Sequence, residues 1–130
     1  MLNEQVKAVL KESFWYLGTY GADGPNVVPV AFKDVAEDGT LLIGDVFLET
    51  TLKNIGENGK IAISASNAGT LEGYQIKGTA KYLSEGPVVD TFKKLVEEMF
   101  HGAATAKGAL AVTPEKIIVT TPGPDNKKEL

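Results

Sequence analysis

The alternation of apolar and polar positions changes period several times along the chain, and each change marks an element. Between Asn3 and Ser13, Val6, Val9 and Leu10 recur at helical spacing behind Asn3, a good N-cap, with Glu4 in the first turn. From Phe14 to Tyr20 the texture becomes that of a strand. Gly21-Ala22-Asp23-Gly24-Pro25 then turns the chain into a second strand, Asn26 to Lys33, with valines at 27, 28 and 30. Pro29 inside that strand predicts an edge, a bulge, or backbone left free for another partner, since it cannot donate to a ladder. Glu37-Asp38-Gly39 is the next turn and Thr40 to Val46 the third strand.

Glu49 to Asn58 breaks the alternation and predicts a short helix stopped by Gly59. Lys60 to Ser66 returns to strand period. A long strand from Leu71 to Leu83 follows, interrupted by Gly73 and Gly78 where a barrel would turn a corner. Behind Gly86-Pro87, the residues Val88, Phe92, Leu95, Val96, Met99 and Phe100 repeat at helical spacing, and Glu97 and Glu98 form a solvated face. Two apolar segments, Gly108 to Thr113 and Lys116 to Thr121, are separated by Pro114. The expected fold is mainly β with a few helices: a six-stranded antiparallel barrel in one domain over residues 1–121. Residues 122–130, rich in Pro, Gly and charge, read as a mobile C-terminal tail.

Composition narrows the chemistry. The 130 residues contain no cysteine and one histidine, His101, which excludes thiolate chemistry and any multi-histidine metal centre built by one subunit. All 13 basic residues are lysines, so an anion must be held by ammonium groups, hydroxyls or backbone N–H rather than by guanidinium forks. A net charge of −4 argues against nucleic acid as the main partner. No run is long and apolar enough to cross a bilayer, and the N-terminus lacks a signal-peptide pattern, so a cytoplasmic protein without membrane association is expected. Trp15 and Tyr16 read as core or interface aromatics and His101 as a helix-end residue.

One stretch suits a phosphate. Thr50 and Thr51 stand at the start of the short helix, where N–H groups lack helical partners, and Lys53 adds a positive charge one turn on. A bland alternative is that Thr51 only caps the helix and Lys53 is solvated.

Thr-x-x-Asn-Ile-x-x-Asn-x-x-Ile-Ala-Ile, from Thr51 to Ile63, resembles the strand–helix–strand segment of the FMN-binding split-barrel superfamily. That group includes the pyridoxamine 5'-phosphate oxidases and the small bacterial FMN-binding proteins. The run Gly24 to Phe32, the long-strand pattern Tyr74 to Ala80, and Gly86-Pro87 before a helix are similar to the same group, in the same order. The resemblance implies a split barrel that dimerises and holds one FMN at each end of the interface. It would lay Pro29, Val30, Ala31, Phe32 and Lys33 along the flavin and bring Gly44, Asp45 and Val46 beside the ring. Thr50 and Thr51 fall where the group holds the phosphate, at positions often basic there, with Lys53 or a partner's lysine left to supply charge.

The implied protein is an FMN-dependent oxidoreductase or electron carrier with an unknown donor or acceptor. It is not an authentic pyridoxamine-phosphate oxidase, because the arginines and C-terminal extension of those enzymes are missing. Alternatives are a reductase using the deazaflavin F420 or another flavin, and a dimeric binding module without cofactor. No residue offers itself as proton donor or nucleophile, so redox chemistry would belong to the flavin.

Overall fold

A computed structural model describes residues 2–130. Helix α1 (Glu4–Glu12) opens where the Asn3 side chain accepts the Val6 N–H at 2.9 Å, and it buries Val6, Val9 and Leu10. Strands β1 (Trp15–Gly21) and β2 (Gly24–Val30) form a hairpin whose turn needs the left-handed backbone of Gly24, at φ 93°. β3 (Lys33–Val35) and β4 (Leu41–Asp45) form a second antiparallel pair. Helix α2 (Thr50–Asn58) ends at Gly59 in the left-handed conformation and leads into β5 (Lys60–Ser66) and β6 (Gly73–Leu83). Helix α3 (Pro87–Phe100) and β7 (Gly108–Val119) complete the chain.

All seven strands lie in one antiparallel sheet, ordered β2-β1-β5-β6-β7-β4-β3. The two edge strands are joined only by Ala31 and Phe32. Three residue steps span at most ~10 Å, so the edges are drawn together and the sheet must curl on itself. No β2–β3 ladder closes the seam, and the result is a split barrel.

Inside the curl, Trp15, Leu17, Leu41, Ile43, Ile63, Ile76, Leu110 and Ile117 form the main core, closed by α1 and by Ile55 of α2. A smaller apolar layer lies under α3, where Val89, Phe92 and Val96 meet Val46, Ala106 and Ala109. Trp15 is a core residue whose indole N–H donates to the Leu10 carbonyl at 2.8 Å. Among the described residues no helix is long and apolar enough to cross a membrane.

The structure has seven strands where six were expected. The apolar run from Asn26 to Lys33 is split, because the chain leaves one edge of the sheet after Val30 and joins the other at Lys33. Conversely, Pro114 does not divide β7. It lies opposite Gly78 at a register shift, with Lys116 opposite Lys77, so its missing N–H falls where the ladder is already interrupted.

The C-terminal residues are not a free tail either. β4 occupies the edge of β7 only from Gly108 to Val112. Beyond it, Lys127 N–H donates to the Val119 carbonyl, Val119 N–H to Lys128, and Leu130 N–H to Ile117, at 2.7, 2.9 and 2.9 Å. Composition hid this, because these three bonds are backbone, and the Asn126 side chain, donating to the Thr120 carbonyl, only adds to them.

Candidate functional site

Two candidate segments meet at the seam end of the barrel, and the third, the start of α2, rests on β2 at Asn26. The β2–β3 link contributes the Phe32 carbonyl, which accepts the Gly44 N–H of β4 at 2.9 Å. Past β4, Phe47 returns toward the same place. The Phe32 and Phe47 rings both meet Phe100 of α3, with centroids 5.9 and 6.2 Å away. Two residues after Leu48, α2 begins, and its first turn leans on β2 through a hydrogen bond from Asn26 Nδ2 to Thr51 Oγ1 at 3.1 Å.

The start of α2 has the electrostatics expected of an anion seat. The first N–H bonded within the helix is that of Lys53, to the Glu49 carbonyl at 3.1 Å, and Glu49 caps with no side-chain bond. The preceding N–H groups of Thr50, Thr51 and Leu52 lack helical acceptors, and the macrodipole favours negative charge there. Thr50 is exposed beside them. The Glu49 carboxylate is the opposing charge.

Thr51 is different. It is 1% exposed, and its hydroxyl is taken by Asn26. On the same face Asn54, also 1% exposed, donates to Thr19 Oγ1 at 3.0 Å. Thr51, Asn54 and Ile55 are therefore the packing face of α2, and the Thr51 side chain is not turned toward a ligand. The i, i+3, i+4 spacing of these residues is the signal that could have revealed this.

Of the two candidate lysines, Lys33 is committed and Lys53 is held only loosely. Lys33 Nζ donates to the Leu10 carbonyl at 3.2 Å and lies 5.4 Å from the centre of the Trp15 ring. Burial lowers its pKa, against the opposing pull of Asp34. Lys53 Nζ pairs with Asp23 Oδ2 at 3.4 Å, both exposed. Such an exposed pair is worth no more than about 1 kcal/mol, so Lys53 is free to reorient toward a stronger anion.

The β4 candidates are covered by protein. A Cβ on Gly44 would stand 3.0 Å from the Phe92 ring and 3.3 Å from Phe32 Cβ, so this glycine admits α3 rather than a ligand. Val46 is buried under the same helix. Asp45 is 1% exposed, with Oδ2 accepting the Tyr82 hydroxyl at 2.9 Å and Oδ1 without a partner. Burial and this bond raise the Tyr82 pKa. A Cβ on Gly108 would collide with the Tyr82 hydroxyl and lie 2.6 Å from the Leu83 carbonyl oxygen. The Asp45–Tyr82–Gly108 constellation escaped sequence reasoning, because the first two residues stand 37 apart and no short motif links them.

Accessible candidates remain at Pro29 and Ala31, with Val30 and Phe32 half-buried, and at Thr50. The first four form an apolar backbone ledge along the end of β2 and the link, and α2 starts against the same strand at Asn26. This arrangement fits a flavin phosphate through backbone N–H and the Thr50 hydroxyl, and a flat ring through the ledge. The β4 side chains and the Thr51 hydroxyl do not fit it. His101 caps α3 in the left-handed conformation, exposed to solvent, as a helix-end residue.

A mainly β, curled antiparallel sheet with an open seam defines a split-barrel protein. The sequence profile described as pyridoxamine 5'-phosphate oxidase matches residues 2–122, and the chain belongs to that family. An uncharacterized protein of Methanocaldococcus jannaschii is 35% identical over 130 residues, covering 98% of this chain and 86% of that one. The crystal structure of Group A Streptococcus HupZ superposes with a TM-score of 0.81 at 26% identity, over 96% of this chain and 98% of that chain. An FMN-binding protein from Syntrophomonas wolfei superposes with a TM-score of 0.78 at 17% identity, over 93% and 87% of the two chains. That last similarity is one of fold.

Proposed function

We propose that the protein is an FMN-binding flavoprotein, acting as an oxidoreductase or electron-transfer protein, with the flavin held between two copies of the chain. The observation that carries this reading is an apolar edge strand, β2, that runs to the open seam and against which α2 starts at Asn26 with N–H groups lacking helical acceptors, in a chain of this family. When bound, the flavin supplies hydride or electron transfer. The chain would bind and orient it. Pro29, Val30, Ala31 and Phe32 offer the ring an apolar ledge, and Phe32 is held in place by its carbonyl bond to Gly44.

The phosphate would be received by the Thr50 hydroxyl and the α2 N–H groups, with Lys53 drawn from Asp23. This seat is weaker than one built on fixed cations, and Glu49 tempers it further. The exposed apolar surface beside the seam, Phe47 at 76% and Met99 at 63%, is suited to cover by a second copy and would exclude water from the ring. Saturable quenching of flavin fluorescence at one FMN per chain, with a dimer in sedimentation, is the expected result. Binding of F420 in place of FMN would support the deazaflavin alternative, and binding of neither would leave a cofactor-free module.

A further inference from the structure

A groove of about 490 Å³ lies on the outer face of the sheet across β1, β2, β5 and β6, sharing with the candidate flavin site only Asn26, whose side-chain amide is turned to Thr51. Its volume is in the range of small-molecule sites. Its floor is Gly18 and Ala62, which face each other across β1 and β5. Gly18 is not there for the fold. Its φ is not positive, and an added Cβ would meet only Ala62, at ordinary contact distances of 3.7 and 4.0 Å. Glycine within a strand costs stability, and one use of it is to let an external group approach the backbone closely.

The walls differ in character. On one side stand Tyr20 and Val27, 66% and 67% exposed. On the other are Lys60 and Lys77. One cross-strand row reads Val27, Gly18, Ala62, Lys77, Lys116, so the surface grades from apolar to basic. Lys77 stands directly opposite Lys116, an arrangement that like charges disfavour. Among the described residues neither of these lysines, nor Lys60, has a carboxylate within ion-pair distance. Glu115, the one acid lining the groove, accepts from Thr79 Oγ1 at 3.1 Å. In a chain of net charge −4 this cationic cluster is a local feature.

We propose that this groove is a second ligand site, taking a flat aromatic ring that bears a phosphate or carboxylate. The ring lies over Gly18 and Ala62 against Tyr20 and Val27, and the anionic group reaches Lys60 and Lys77.

The test is an amide NMR titration of the intact chain with adenosine 5'-monophosphate, and with adenosine as the uncharged probe. The monophosphate should shift the Gly18 and Ala62 amides saturably, and adenosine should bind roughly five-fold more weakly or worse. Lys77→Gln should bring the monophosphate down to the affinity of adenosine. Gly18→Val should abolish both while α3 resonances stay unmoved, which separates a blocked floor from misfolding. Three results overturn the proposal: no saturable shift at Gly18 and Ala62, unchanged affinity in Lys77→Gln, or conversion of a dimer to a monomer by Gly18→Val. The last would make the groove an interface between copies.

Discussion

Asn26 donates its side-chain amide to the Thr51 hydroxyl at 3.1 Å, tying the first turn of α2 to edge strand β2. This bond turns Thr51 from a ligand group into a positioning one. Thr51→Val leaves the Asn26 amide facing a methyl group and should cost about 1–2 kcal/mol. The melting temperature should fall by roughly 3–8 °C. FMN and riboflavin affinities should change together, because what moves is the helix rather than a phosphate contact. A selective loss for FMN would put the Thr51 hydroxyl on the phosphate.

Tyr82→Phe removes the only hydrogen-bond donor, among the described residues, to the Asp45 carboxylate, whose other oxygen lacks a partner. A loss of about 1–3 kcal/mol in denaturant unfolding is expected. Gly108→Ala should destabilise as well, and should still do so in the Tyr82→Phe background. The added Cβ would lie 2.6 Å from the Leu83 carbonyl as well as against the tyrosine. Full rescue in the double variant would show that the hydroxyl alone requires the glycine.

Tyr74 is buried and donates to Glu72 Oε2 at 2.7 Å, which together push its pKa from 10 up to about 12. The unfolded chain releases this proton near 10 while the folded chain holds it, so the folded state binds more protons in between. Stability should therefore fall as pH rises from 10 to 12, and Tyr74→Phe should make that decline shallower. Denaturant midpoints measured across the interval check this. Equal slopes in the two proteins would contradict it.

The C-terminal residues cover the part of the β7 edge that β4 leaves open. A chain ending at Pro122 should exchange the Val119 amide far faster, since its acceptor is the Lys128 carbonyl. The Ile43 amide, deep in the barrel, should keep its protection. Unchanged exchange at Val119 would mean that the segment does not close the edge in solution.

Much of the fold was legible because it rests on period. Val6, Val9 and Leu10 gave α1, and the turn glycines at 24, 39 and 59 fell where the backbone turns left-handed. What escaped was tertiary. Asn26 to Lys33 reads as one strand, since curling of the sheet, rather than any local signal, carries the chain from one edge to the other at Ala31–Phe32. Pro114 reads as a break until the pairing with β6 is seen, where β7 bulges at Glu115 and Pro114 falls opposite Gly78.

The resemblance joined Pro29 to Lys33, Gly44 to Val46 and Thr50 to Lys53 into one candidate site, and the sequence left their orientation open. It could not indicate that Phe92 fills the space over Gly44, or that the Leu10 carbonyl claims the Lys33 ammonium.

The central claim is that the seam and the start of α2 hold a flavin by its ring and phosphate. It is tested most directly by titrating the purified apo-protein and its Thr50→Val variant with FMN and with riboflavin. Saturation near one FMN per chain, with Thr50→Val weakening FMN more than riboflavin, is the predicted result. Absence of FMN binding at concentrations of tens of micromolar, or equal losses for both flavins in Thr50→Val, would contradict it.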